Sequence, residues 1–221
     1  MTASHPQSAR EVMRFHLIYH GQLPSSGNKA KPEDVMRIRR EISPQLKYLW
    51  ETHHALSVLR ETAVVKREGV GTQRIGHGLS PRQLAEQYPS EYEHLAGPLA
   101  VRGKSYLPLV RESLSLSCEL SVLFLRQDEP GKLLTQGGDI DGRMKCLLDA
   151  LRMPSGDEQE RAPPPEDHLW CLMEGDELVT RLDIETDRLL IPRSEHQHEV
   201  HLDIEVTINV LKVGHHNMAL L

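Results

Sequence analysis

The chain has 221 residues, 38% of them hydrophobic, 26% charged and 4% aromatic, which describes one folded, polar domain with an aliphatic core and excludes a wholly disordered or fibrous chain. Its net charge of -6 argues against simple phosphate-backbone binding, yet residues 1–112 carry 16 Lys+Arg against 11 Asp+Glu and the remainder 10 against 21, so a basic half precedes an acidic one. No run approaches the ~18 apolar residues of a membrane helix and the N-terminus lacks the order of a secretion signal, so the expectation is a cytoplasmic protein with no membrane partner.

Met13, Phe15, Leu17 and Tyr19 alternate with Arg14, His16 and His20 up to Gly21, the period of a half-buried strand. From Pro32 the period lengthens. Val35, Ile38, Ile42, Leu46, Leu49 and Trp50 predict either two consecutive helices or one kinked at Pro44, with Arg37, Arg39, Arg40 and Lys47 facing outward. Residues 66–78 hold glycines and basic residues without an apolar period and read as a mobile loop. Ser80-Pro81 supplies a capping hydroxyl and a proline at the first helical position, so a short helix follows to about Tyr88. Residues 89–104 carry no readable period.

Farther on, Leu116, Cys118, Leu120, Val122 and Phe124 alternate with polar residues, as do Val200, Leu202, Ile204, Val206, Ile208 and Val210. Such one-sided strands belong to a sheet covered by helices on one face, so the predicted class is a two-layer α+β domain with a mixed or antiparallel sheet, spanning residues 1–221 as one unit. Residues 154–167 contain four prolines and no apolar period, which predicts a disordered loop. Cys118, Cys146 and Cys171 are odd in number and lack ligand-pair spacing, so they read as small buried hydrophobes rather than a disulfide or zinc framework.

The sharpest signal is GGDIDGRMKCLLDALRMP, residues 137–154. Met144, Leu147, Leu148 and Leu151 form one apolar stripe, Asp141 suits the helix cap, and Pro154 ends the helix. Asp141, Lys145 and Asp149 fall in one row beside the stripe, which capping and ordinary ion pairs explain without any function. Asp139 is left over by that account. Two carboxylates converging ahead of a helix can hold a hard cation such as magnesium, with a lysine nearby to meet charge on a phosphoryl oxygen.

The DxDxxxKxxxD run, followed by MEGDELV at residues 173–179, resembles the RusA-like Holliday junction resolvases. The specific match covers residues 116–185, with Gly142 at the family's asparagine position and Gly175 at the first residue of its aspartate pair. The resemblance implies a Mg2+-dependent, structure-selective endodeoxyribonuclease that cuts four-way DNA junctions during recombination and repair. Asp139, Asp141 and Asp176 would be metal ligands and Lys145 the essential lysine. A homodimer is implied, because a two-fold protein matches a two-fold junction. By charge alone, Arg37, Arg39, Arg40, Lys66, Arg67 and Arg74 are candidates for DNA contact. The alternatives are a nuclease for flaps or single strands and a non-catalytic DNA- or protein-binding module. Clustered histidines such as His196, His198 and His201 read as solvated rather than as zinc ligands. Asp203 and Glu205 share the polar face of the last strand and could extend an acidic site, although a solvated sheet face is the favoured account of them.

Overall fold

The computed structural model describes residues 10–24, 32–69, 78–127, 140–154, 168–191 and 199–221. In chain order its elements are β1 (Arg10–Gln22), α1 (Pro32–Thr52), α2 (His54–Thr62), β2 (Val64–Lys66), α3 (Pro81–Gln87), β3 (Tyr92–His94), β4 (Leu99–Val101), β5 (Lys104–Val110), β6 (Leu116–Arg126), α4 (Ile140–Leu151), β7 (Leu169–Met173), β8 (Val179–Arg188) and β9 (Glu199–Val210). The fold is α+β. The main sheet has the order β1-β9-β6-β8, and the smaller ones pair β2 with β3, and β5 with β4 on one side and β7 on the other. β9 runs antiparallel to both β1 and β6, whereas β8 runs parallel to β6, so the sheet is mixed.

The period-two pattern decides which face is covered. Leu17, Tyr19, Val122, Phe124, Leu202 and Ile204 point into a core that runs from Met13 to Leu220, each full burial being worth about 1.5–3 kcal/mol. Their alternates, including His16, Ser121, Asp183 and Glu205, lie on the open face. α1 covers the core with Ile38, Ile42, Leu46 and Trp50 at four-residue intervals, and it continues unbroken through an exposed Pro44. α1 also protects the β1 edge. Gln45 accepts from the Ile18 amide at 2.9 Å and donates to its carbonyl at 2.6 Å, while Glu41 accepts from the His20 amide at 3.0 Å. An edge strand capped this way offers fewer free groups to another chain.

Several sequence expectations hold. α3 begins with the anticipated cap, Ser80 Oγ accepting from the Gln83 amide at 3.3 Å and the Gln83 side chain accepting from the Ser80 amide at 2.8 Å. α4 ends before Pro154 as expected. It starts at Ile140, however, so Asp141 belongs to its first turn and is not its cap. The stretch that had no readable period holds β3 and β4, strands of three residues each, too short to display a repeat. Of the proline-rich loop, residues 155–167 lie outside the described residues.

Arg39 is a correction. Expected outside, it is 3% exposed and donates from Nη2 to the backbone carbonyls of Asp149 and Arg152. Those carbonyls belong to the last turn of α4 and the residue after it, where the helix has no amide left to offer. The guanidinium therefore ties α1 to α4 and is removed from any DNA-facing surface. Arg39→Met should lower the unfolding free energy by about 2–3 kcal/mol in urea melts, whereas the exposed Arg40→Met should change it by less than about 0.5 kcal/mol.

Burial pushes the His94 imidazole below its ordinary 6.5, with Arg82 and Arg111 lowering it further and the Arg60 backbone and Glu86 opposing. His216 is lowered for the same main reason. A histidine kept neutral by the fold binds its proton first in the unfolded chain, so its stabilisation is complete above the unfolded pKa and declines as pH falls below it. The melting temperature should drop between pH 7.5 and 5.5, through the ordinary value of 6.5, and His94→Gln should flatten that drop.

Candidate functional site

α4 carries the chemistry anticipated from sequence. Met144, Cys146, Leu147, Ala150 and Leu151 lock one side into the core, which leaves Asp141 and Lys145 exposed and one helical turn apart on the other side. Asp149 does not pair with Lys145 as its spacing allows; its Oδ1 instead takes Arg152 Nη2 at 2.7 Å. Arg143, buried, donates to the backbone carbonyl of Leu23 just past β1. That contact fixes the start of α4 at the end of the sheet formed by Gln22, Glu199, Val200 and Arg126. Arg126 and Arg143 are both lowered mainly by burial, and Arg126 also lowers Arg143 through its like charge. These arginines were not singled out from the sequence: Arg126 continues the apolar side of the β6 alternation, and Arg143 stands next to the α4 stripe without belonging to it. They give the Asp141 end of the sheet a positive floor.

Asp176 lies at the other end. β7 and β5 run parallel, the Met153 amide donates to the Met173 carbonyl at 2.8 Å, and the Glu174 amide donates to the Val110 carbonyl at 3.0 Å. The chain then turns through Asp176–Leu178 and enters β8, where Val179 pairs with Cys118 near the start of β6. Asp141 is tied to the Arg126 end of β6 and Asp176 to the Cys118 end. The eight residue steps between those positions span about 26 Å, and α4 itself covers about 15 Å between Asp141 and its end at Leu151. Asp139 lies outside the described residues. The three-carboxylate cluster implied by the resemblance is therefore not assembled from Asp141 and Asp176 within one chain. No group of three or more metal-capable side chains occurs among the described residues.

The basic candidates also divide. Arg37 is engaged with Asp34 at 2.8 Å and with the Gln22 carbonyl at 2.9 Å, and Arg39 is buried. Arg40 is exposed on α1, and Lys66 and Arg67 are exposed at the small β2–β3 sheet. Arg67 has Glu93 at 3.8 Å. Arg74 lies outside the described residues.

Asp203 and Glu205 cannot extend the Asp141 site, because they project from the open face while α4 packs on the other. There His16 Nδ1 meets Asp203 Oδ1 at 2.6 Å and lies 3.6 Å, through Nε2, from Glu205. At the top of that face His20 contacts Glu199 and lies beside His201, their rings tilted by 52° with centroids 5.6 Å apart. Lower down a groove of about 520 Å³ is lined by Arg14, Glu119, Arg181, Asp183, Glu205 and Asn209 among others. Its cations are matched by carboxylates, Arg181 with Asp183 at 2.7 Å and Arg14 with Glu205 at 3.9 Å. The open face is thus a self-compensated ion-pair network, worth little per exposed pair.

The cysteines follow expectation. All are free and buried, and burial pushes the thiols of Cys118, Cys146 and Cys171 up to about 12, 11 and 12, which leaves them without thiolate character near neutrality. No described helix is long and apolar enough to cross a membrane. Comparison with family models, with curated proteins and with solved structures returns no match.

Proposed function

We propose that the chain is a divalent-metal-dependent endonuclease for branched DNA, acting as a homodimer in the manner of the RusA-like resolvases it resembles. The observation that carries this reading is the pairing of an exposed Asp141 with an exposed Lys145 one turn on, at a helix end rigidly held by buried Arg143 and floored by Arg126. Magnesium needs only one or two carboxylates and retains waters for its substrate, so Asp139 with Asp141 satisfies the donor chemistry, and Asp176 is left out of the set. When bound, the ion supplies Lewis-acid polarisation of the phosphodiester and a hydroxide nucleophile. Asp141 orients that donor set. Lys145 places an ammonium where negative charge grows on the phosphoryl oxygens, an interaction stronger in the transition state than in the ground state. Arg126 and Arg143 raise the local potential and favour approach of the phosphate backbone, while Arg40, Lys66 and Arg67 remain as exposed contacts for the arms.

The second reading, a non-catalytic DNA- or protein-binding module, is favoured by one observation: the family's third ligand position, Asp176, sits at the far end of the sheet. Incubation of a labelled four-way junction with and without magnesium separates the two. The nuclease reading expects magnesium-dependent cleavage that Asp141→Asn abolishes and Lys145→Ala reduces by about 10²-fold or more, with binding retained. Asp176→Asn should cleave within about threefold of the parent chain, since a substitution this remote from the reacting phosphate removes no transition-state interaction. Binding without cleavage at any magnesium concentration would establish the module instead, and loss of cleavage in Asp176→Asn would overturn this ligand assignment.

A further inference from the structure

The open face holds two groups of histidine and carboxylate, and they differ in what they leave available. His16 has both ring nitrogens near carboxylates, Nδ1 at 2.6 Å from Asp203 and Nε2 at 3.6 Å from Glu205. His20 commits only one. Its Nε2 meets the Glu199 carboxylate, while its Nδ1 lies 3.4 Å from Nδ1 of His201. His201, expected from sequence to be solvated, is half-buried beside that ring.

Strand register produces this approach. His20 and His201 are direct partners across β1 and β9, and the His20 amide turns outward to Glu41, so theirs is a non-hydrogen-bonded pair. Such pairs bring their Cα atoms to about 4.5 Å, the closest side-chain approach in an antiparallel ladder. The rings are tilted by 52°, so that nitrogens and not ring faces converge. Glu199 is 3% exposed, and its carboxylate fixes the His20 ring through Nε2.

In a neutral imidazole, donation from Nε2 to Glu199 leaves the His20 lone pair on Nδ1. A histidine that binds a metal through one nitrogen ordinarily gives its other N–H to a carboxylate or carbonyl. Two imidazole nitrogens, each ~2.0–2.1 Å from one tetrahedral ion, are separated by about 3.3–3.4 Å, which matches the 3.4 Å between the two Nδ1 atoms. Imidazole suits zinc and its transition-metal neighbours, whereas magnesium takes oxygen donors. In the ion-free chain His201 donates its Nδ1–H to His20. On binding, that proton moves to Nε2 of the same ring, and both Nδ1 lone pairs are given to the ion.

We infer that His20 and His201 form a site for a divalent ion of the zinc class, with Glu199 as a positioning residue and water in the remaining coordination positions. The site goes beyond the nuclease reading and does not rest on it, since it uses nitrogen donors and lies on the open face, away from α4.

Calorimetric titration of the full chain with zinc chloride, in excess magnesium to occupy oxygen-donor sites, should show saturable binding of one ion. Zinc should also raise the melting temperature, because it binds the folded chain in preference to the unfolded one. His20→Gln and His201→Gln should each weaken binding by about tenfold or more, and Glu199→Gln by about 10- to 100-fold, as for other residues that orient a metal ligand. His16→Gln should leave it unchanged, because both nitrogens of that ring face carboxylates. Melts without zinc report whether each variant folds. His201→Gln keeps the contact of His20 with Glu199, so it stays informative if the other two fail to fold. No saturable binding by the parent chain would overturn the proposal. Undiminished binding by His201→Gln would overturn it as well, by placing the ion on other histidines, and so would an equal loss in His16→Gln.

Discussion

The parallel pairing of β6 with β8 is the constraint on which the rest of the structure depends. Parallel neighbours cannot be joined by a hairpin; the chain must leave one end of the sheet and return to the other before re-entering beside its starting strand. Here that return is made by α4 and then β7. Whatever precedes α4 is therefore held at the end of β6, and whatever precedes β8 at its beginning. The two acidic motifs flank this crossover, and the topology alone assigns them to opposite ends of the sheet.

The basic half of the chain has a second use. Arg39 serves the last carbonyls of α4, much as Arg143, from the acidic half, serves the carbonyl after β1. Arg111 is fully buried, donating to the carbonyls of Pro108, Leu95 and Gly97, and burial pushes it down to about 10. Apart from Pro108, which lies within β5, these carbonyls stand where regular structure ends, which is where the backbone has acceptors without donors. Excess positive charge in residues 1–112 is thus partly structural, and counting it toward DNA affinity overstates the surface available to phosphates.

The layer architecture was legible because it rests on periodicity: Met13–Tyr19, Leu116–Phe124 and Val200–Val210 each expose one apolar face, and Met144–Leu151 one stripe. Pairing partners were not legible, since nothing in the β8 sequence says whether it joins β6 parallel or antiparallel. β7 and β5 escaped notice because strands buried as LWCLM and KSYLPLV show a continuous apolar run and no alternation. For the candidate site, exposure of Asp141 and Lys145 followed from their place beside the α4 stripe. The separation of Asp176 did not follow, because a motif states spacing along the chain and the crossover decides distance in space. Arg39 was misjudged for a related reason: a cation within a helical stripe reads as solvated until the carbonyls it meets are known.

The separation of the two acidic motifs can be measured directly. Nitroxide labels at Asp141→Cys and Asp176→Cys would attach selectively, because the native thiols are buried and pushed up to about 12, 11 and 12. Pulsed electron-spin distance measurement on the doubly labelled chain, diluted with unlabelled protein to isolate pairs within one chain, should give a distribution centred above about 20 Å, in line with the strand length between the two ends. A distribution centred below about 12 Å, too short for opposite ends of strands of this length, would contradict this account and restore Asp176 to the same metal site as Asp141.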